Sequence, residues 1–139
     1  MRGSLLAVAA AGLALAITSA GCDHVAIVQV IDVRVFREPD NGVSLDVDLR
    51  AAEQSGNSVG PYCVSAHLVP LGFDPNTPGL TVYRSQIDVA KICAEDLTDG
   101  DTRTFHLVFN RRDIASENPI RVQTQRGRLV EDWMAAEVP

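Results

Sequence analysis

One run limits the folds open to this chain more than any other. In Val43-Ser44-Leu45-Asp46-Val47-Asp48-Leu49-Arg50, four aliphatic residues alternate with four polar ones. A period of two sends every aliphatic side chain to one side of an extended strand and every polar one to the other, so the run reads as a half-buried strand. Thr104-Phe105-His106-Leu107-Val108-Phe109 repeats the pattern, with Phe105, Leu107 and Phe109 on the expected core face. Ala26 to Phe36 is richer in Val and Ile, and its second half sets Ile31, Val33 and Val35 against Asp32 and Arg34. Tyr62, Val64, Ala66 and Leu68 mark another strand, and Leu80 to Ile87 is read as one more. Ile120–Thr124 and Leu129–Trp133 flank Gly127 as a closing hairpin, with Trp133 a hydrophobic plug at its edge.

Turn chemistry separates these runs. Pro39-Asp40-Asn41-Gly42 is a tight-turn signal, Gln54–Pro61 is polar and Gly-rich, and Pro70–Gly79 carries three of the seven prolines. Thr98-Asp99-Gly100-Asp101 precedes the strand at Phe105. Asp88–Leu97 is ambiguous, because Val89, Ile92, Cys93 and Leu97 fall at helical spacing while a strand running into a corner loop fits equally. Strands recurring every ~8 to 15 residues without amphipathic helices between them predict an all-β fold, a single antiparallel β-sandwich of six or seven strands. Strand count and spacing resemble an immunoglobulin-like or fibronectin-type sandwich. No Trp lies between the cysteines and no tyrosine corner precedes Cys93, which disfavours a true immunoglobulin domain.

The first 21 residues stand outside that pattern. Arg2 is followed by an unbroken apolar stretch, Leu5–Ile17, shorter than the roughly 20 residues that a bilayer-spanning helix requires. Ser19-Ala20-Gly21-Cys22 then resembles the lipobox of bacterial lipoproteins, with Ser19 standing where that family usually has a branched apolar residue. The resemblance implies cleavage before Cys22 and acylation of its sulfur, hence a lipid-anchored protein of the bacterial cell envelope. Asp23 resembles the inner-membrane retention signal of enterobacterial lipoproteins, and the choice of membrane stays open. The expected organisation is a signal peptide over 1–21, a lipidated tether over 22–26, the sandwich over 27–133 and a frayed tail over 134–139.

Removal of Cys22 from the count turns three cysteines into a pair, Cys63 and Cys93. In an oxidising compartment these are expected to form a disulfide closing a loop of about 30 residues, worth roughly 3–4 kcal/mol in the chain-entropy model. Their spacing is not that of a CxxC redox or metal motif.

Little in the chain carries chemistry. Acidic residues outnumber basic ones 18 to 12 and the net charge is −6, which argues against a nucleic-acid binder with a basic footprint. His24 sits beside the anchor, while His67 and His106 fall at outward strand positions and are expected in solvent. No HExxH, GxSxG or SxxK motif is present, and Ser44, Ser55, Ser58, Ser65, Ser85 and Ser116 have no base near them in sequence. Asp46 and Asp48 share one outward strand face. Asp96, Asp99 and Asp101 crowd a turn that offers hard oxygen ligands for Ca²⁺, though at no EF-hand spacing. A basic cluster, Arg111, Arg112, Arg121, Arg126 and Arg128, lies toward the C-terminus. The expectation is a non-enzymatic accessory protein without a cofactor, held at a membrane through Cys22, that docks a protein partner through Phe73, Arg126 and Arg128. A small-ligand or Ca²⁺-binding module is the alternative, and a hydrolase with a site assembled in space is the third reading.

Overall fold

The computed structural model describes residues 27–52, 59–77, 80–98 and 100–139. Cys22, His24, Ser55, Ser58 and Asp99, together with the leader and tether, lie outside the described residues. The described chain forms seven strands and one short helix: β1 Val28–Arg37, β2 Val43–Ala51, β3 Tyr62–Leu68, α1 Leu80–Ser85, β4 Asp88–Ala94, β5 Thr102–Val108, β6 Pro119–Arg126 and β7 Leu129–Glu137. They build an antiparallel β-sandwich from a three-stranded sheet, β1-β2-β5, and a four-stranded sheet, β4-β3-β6-β7. Among the described residues no helix is long and apolar enough to cross a membrane.

The alternating runs set the core. Val43, Leu45, Val47 and Leu49 of β2 are fully buried, and they meet Phe105 and Leu107 of β5 and Tyr62, Val64, Ala66, Leu68, Ile120 and Val122 of the facing sheet. Each such aliphatic or aromatic side chain contributes about 1.5–3 kcal/mol relative to exposure. The turn at 38–42 closes as its residues require. Asn41 takes a φ of 68°, and the Glu38 amide donates to the Gly42 carbonyl at 2.9 Å.

Three expectations are corrected and one open alternative is resolved. Ile31 does not join the core face of β1, because a bulge between Val30 and Asp32 inserts one residue and flips the phase. Val28 and Val30 face inward before the bulge and Val33 and Val35 after it, while Ile31 turns outward. Leu80–Ile87 is not a strand. Leu80–Ser85 forms the short helix α1 despite its β-branched residues, in the connection between β3 and β4. Asp88–Leu97 resolves as strand β4 over Asp88–Ala94, with Ala90 inward. Finally, 134–139 is not frayed: β7 runs to Glu137, and buried Val138 exchanges backbone hydrogen bonds with Asn118 and Glu117.

The Cys63–Cys93 disulfide is present, with a sequence separation of 30. It joins directly paired residues of neighbouring strands β3 and β4 within one sheet, so it does not tie the two sheets together.

Candidate partner-binding face

The outward face of the four-stranded sheet is built from three rows of side chains. Strand pairing sets Val89, His67, Arg121 and Ala135 in one row, Lys91, Ser65, Gln123 and Trp133 in the next, and Cys93, Cys63 and Gln125 in the third. A sheet face carrying Ser, His, Arg and Gln reads as a solvated one. Here the described parts of the crossover connection, 69–77 and 80–87, pass over it, and the residues beneath are sealed: Ser65, Arg121 and Gln123 are each 2% exposed and His67 is 3% exposed. His67 does point outward, as its phase requires, but it is buried rather than solvated. The element that covers it is the one whose course the sequence pattern misassigns.

Sealing polar groups requires that they find partners. His67 is fixed at both nitrogens: Nε2 lies 2.9 Å from Ser65 Oγ and Nδ1 lies 2.6 Å from Gln86 Oε1. A carbonyl oxygen only accepts, so Nδ1 carries the proton and Nε2 accepts from the serine. Burial holds the imidazole below its usual pKa, opposed by the Gln86 hydrogen bond and assisted by the positive charges of Arg121 and Lys91. The ring is neutral, and Tyr83 packs edge-on against it with centroids 5.0 Å apart. Ser65 and His67 thus have nucleophile–base spacing, with both side chains buried beneath the connection.

Arg121 is the second anchor of the crossover. Its Nε donates to Gln123 Oε1 at 3.0 Å and its Nη1 to the Pro75 carbonyl at 3.1 Å, with the Thr77 carbonyl at 3.4 Å. Among the described residues no carboxylate lies within ion-pair distance of it, and burial works against its charge. The guanidinium lies 4.7 Å from the centroid of the Trp133 ring, a cation–π contact that holds the indole in place. Gln123 Nε2 donates to the Tyr83 hydroxyl at 2.5 Å.

Two aromatic side chains therefore stand out of this face on buried polar supports. Trp133 is 46% exposed over Arg121, and Tyr83 is 38% exposed over Gln123 and His67. Neither belongs to the residues expected to bind a partner. Trp133 lies mid-strand in β7 on its outward phase, since Met134 and Ala136 are the residues packed against the core. The all-apolar run Trp133–Ala136 hides that phase. Tyr83 is found only once the crossover is known.

The expected partner-binding residues fare differently. Phe73 is half-buried in the turn whose amide donates to Pro70 O, while its neighbour Leu71 is the exposed apolar residue of that loop. Arg126 is occupied internally, with Nε 2.8 Å from Glu131 Oε2 and Nη1 2.9 Å from the Val59 carbonyl. Arg128 is exposed at the β6–β7 hairpin tip beside Gly127, whose φ of 59° makes the tight turn. In the acidic turn, Asp96 Oδ1 accepts from the Gly60 and Leu97 amides at 2.9 and 2.8 Å, and Asp101 is exposed. Among the described residues no group of three His, Cys, Asp or Glu side chains is placed to hold a metal ion.

The opposite face of the sandwich is occupied by charge pairs. Arg34 bridges Asp32 at 2.7 Å and Asp48 at 2.8 Å, Thr104 donates to Asp48 at 2.6 Å, and His106 Nδ1 sits 2.7 Å from Asp46. Arg34 and then Thr104 lower the Asp48 carboxyl to about 2. At one end of that face, a cavity of about 360 Å³ is lined by Glu38, Asp40, Ser44, His106 and Arg112. Its polar groups are taken in pairs, Ser44 donating to Glu38 at 2.5 Å and Arg112 to Asp40.

No family model matches the chain, and no curated protein matches it. Among solved structures it is similar to part of DesR, a β-glucosidase from Streptomyces venezuelae determined in complex with D-glucose. The TM-score is 0.47 at 15% identity, over 81% of this chain and 15% of that chain.

Proposed function

We propose that the protein is a lipid-anchored, non-catalytic component of a bacterial cell envelope that docks a protein partner through the crossover-covered face. The observation that carries this reading is the pair of exposed aromatics, Trp133 and Tyr83, each supported from below by buried Arg121 and Gln123. Trp, Tyr and Arg supply most of the strong contacts in protein interfaces, and side chains already fixed before contact lose little entropy on binding. Leu71 and Leu129 are exposed beyond them, and Arg128 adds a charge at the periphery. The non-catalytic reading is supported by the way Ser65, His67, Ser44 and His106 are each engaged internally. The anchor rests on the leader and on Cys22, whose acylation would add about 0.8 kcal/mol of membrane affinity per buried methylene.

Crosslinking in native-host membranes tests both parts. A partner held at fixed stoichiometry by the wild type is expected to be lost from Trp133→Ala and Tyr83→Ala and retained by Phe73→Ala. Retention by both aromatic variants ends the docking reading. Cys22→Ala is expected to leave the protein unacylated and extractable without detergent, and continued acylation of that variant would overturn the anchor.

A further inference from the structure

The two long seams of the sandwich are closed differently. Along β1 and β7, the Val28 and Val30 amides donate to Glu131 and Asp132 carboxylates at 3.2 and 2.9 Å, and Thr124 Oγ1 donates to the Val28 carbonyl at 2.7 Å. Side chains of one sheet thus cap the backbone edge of the other. Along the other seam, among the described residues, β4 pairs with β3 alone and β5 with β2 alone, so each keeps one main-chain edge without a described strand beside it.

Between those two edges runs a groove in two connected parts. One, of about 610 Å³, is lined by Ile92–Asp96 and Arg103–His106, and the other, of about 450 Å³, by Val89–Ile92 and by His106, Leu107, Val108 and Asn110. Ile92 and His106 belong to both. Its lining is mixed, with Ile92 and Phe105 beside the polar groups of Lys91, Thr104, His106 and Asn110, and Val89 and Val108, the latter 54% exposed, also lie along it. Lys91 and Arg103 stand over it, and among the described residues neither has a carboxylate within ion-pair distance. The Arg103 guanidinium rests 4.8 Å from the Phe105 ring centroid. His106 is committed to Asp46, and Glu95 and Asp96 lie at one end, where Asp96 caps backbone amides. The hydroxyl of Tyr62, buried without a hydrogen bond of good geometry, lies in the field of Arg103 and Asp96.

We propose that this groove takes up one extended segment of a partner polypeptide as an added strand, with acidic side chains set toward Lys91 and Arg103. Open edges supply the backbone hydrogen bonds, and alternating side chains enter the groove or face the cations. β4 and β5 have seven residues each, which matches a segment of about seven residues spanning about 23 Å. A second copy of this chain is the poorer occupant. Symmetric antiparallel addition of β4 to itself about its central residue sets Lys91 against Lys91, and like charges directly opposite repel. Lys91 shares a row of the four-stranded sheet with Trp133 but lies on β4, at the edge opposite β7, so substitution at each position tests one proposal without removing the other's residues.

The probe is a capped heptapeptide alternating valine and glutamate, added to the full-length protein. Backbone amide shifts are followed by NMR, together with the acetylation rate of Lys91, the only lysine of the chain. Saturable shifts at Val89, Lys91, Cys93, Thr104 and His106 are expected, with slowed acetylation of Lys91. Lys91→Glu combined with Arg103→Glu is expected to weaken binding at least tenfold while keeping the melting profile, and Trp133→Ala is expected to leave it unchanged. A peptide N-methylated at alternate residues is expected not to bind, because it cannot extend a sheet. Equal binding of the N-methylated peptide, a valine–lysine peptide binding as well, or no saturable shift along β4 and β5 would each overturn the proposal.

Discussion

Replacing Arg121 with methionine removes the guanidinium while keeping much of the side-chain volume, and so isolates what the charge does. Its hydrogen bonds to Gln123, Pro75 and Thr77 are worth about 1 kcal/mol each. The contact with Trp133 adds about 0.5–2 kcal/mol. Against this stands the relief of a cation buried without a counter-ion, a cost that apolar replacement recovers in part. The net expectation is a loss of about 2–3 kcal/mol, or roughly 6–12 °C in melting midpoint for a domain of this size. Trp133 is the single tryptophan, so its fluorescence reports this site alone. In urea, Arg121→Met is expected to unfold earlier, and its native emission to be quenched faster by acrylamide because the indole has lost its support. Arg121→Lys is expected to recover little, since an ammonium cannot reach both carbonyls while lying flat on the ring. A methionine variant within about 0.5 kcal/mol of wild type with unchanged quenching, or full recovery by lysine, would falsify the anchoring role.

Other outcomes follow from the same geometry. Because His67 is held neutral by burial, its folded pKa lies below the unfolded value of about 6.5, and the unfolded chain takes up the proton first. Stability is therefore fully present above that value and declines as pH falls through it, and His67→Gln should flatten the urea-midpoint profile between pH 7.5 and 5.5. Asp48, lowered to about 2, acts in a separate window, with its contribution present above about pH 4 and lost below it, so Asp48→Asn should remove part of the acid transition only. Cys63→Ser with Cys93→Ser should cost about 3–4 kcal/mol by the chain-entropy estimate for a loop of 30 residues, and leave the Trp133 emission maximum unmoved. Asn41→Ala forces a side chain without a local hydrogen bond to φ 68° and should cost about 1–2 kcal/mol, whereas Asn41→Gly should be milder, as paired thermal melts would show.

Strands such as β2 and β5 were legible because one face is buried and the other mostly wet, so apolar and polar residues alternate from Val43 to Arg50 and from Thr104 to Leu107. The turn at 39–42 and the hairpin at Gly127 were legible because their backbone angles select particular residues. The bulge at Ile31 was not, since an inserted aliphatic residue extends an aliphatic run without marking where the phase changes. Nor was the crossover. Leu80–Ser85 carries the β-branched Thr81 and Val82 expected of a strand, and nothing in its local pattern marks it as the helix it forms. The candidate site inherits that gap. His67, Arg121 and Gln123 carry an outward phase in sequence, and nothing local tells whether solvent or another segment meets them. Arg126 and Arg128 look alike in the chain, yet Glu131 and the Val59 carbonyl take up the first, while the second stands at an exposed hairpin tip.

The docking proposed for this protein rests on the supported aromatics Trp133 and Tyr83. A photoreactive side chain placed at Ala135, paired with Arg121 on the same face, with a second variant bearing it at Thr102 on the opposite sheet, tests this in membranes of the native host. One crosslinked product of fixed mass is expected from position 135, lost when Tyr83→Ala is added, with no such product from position 102. The same products from both positions, or a product from 102 alone, would contradict that proposal.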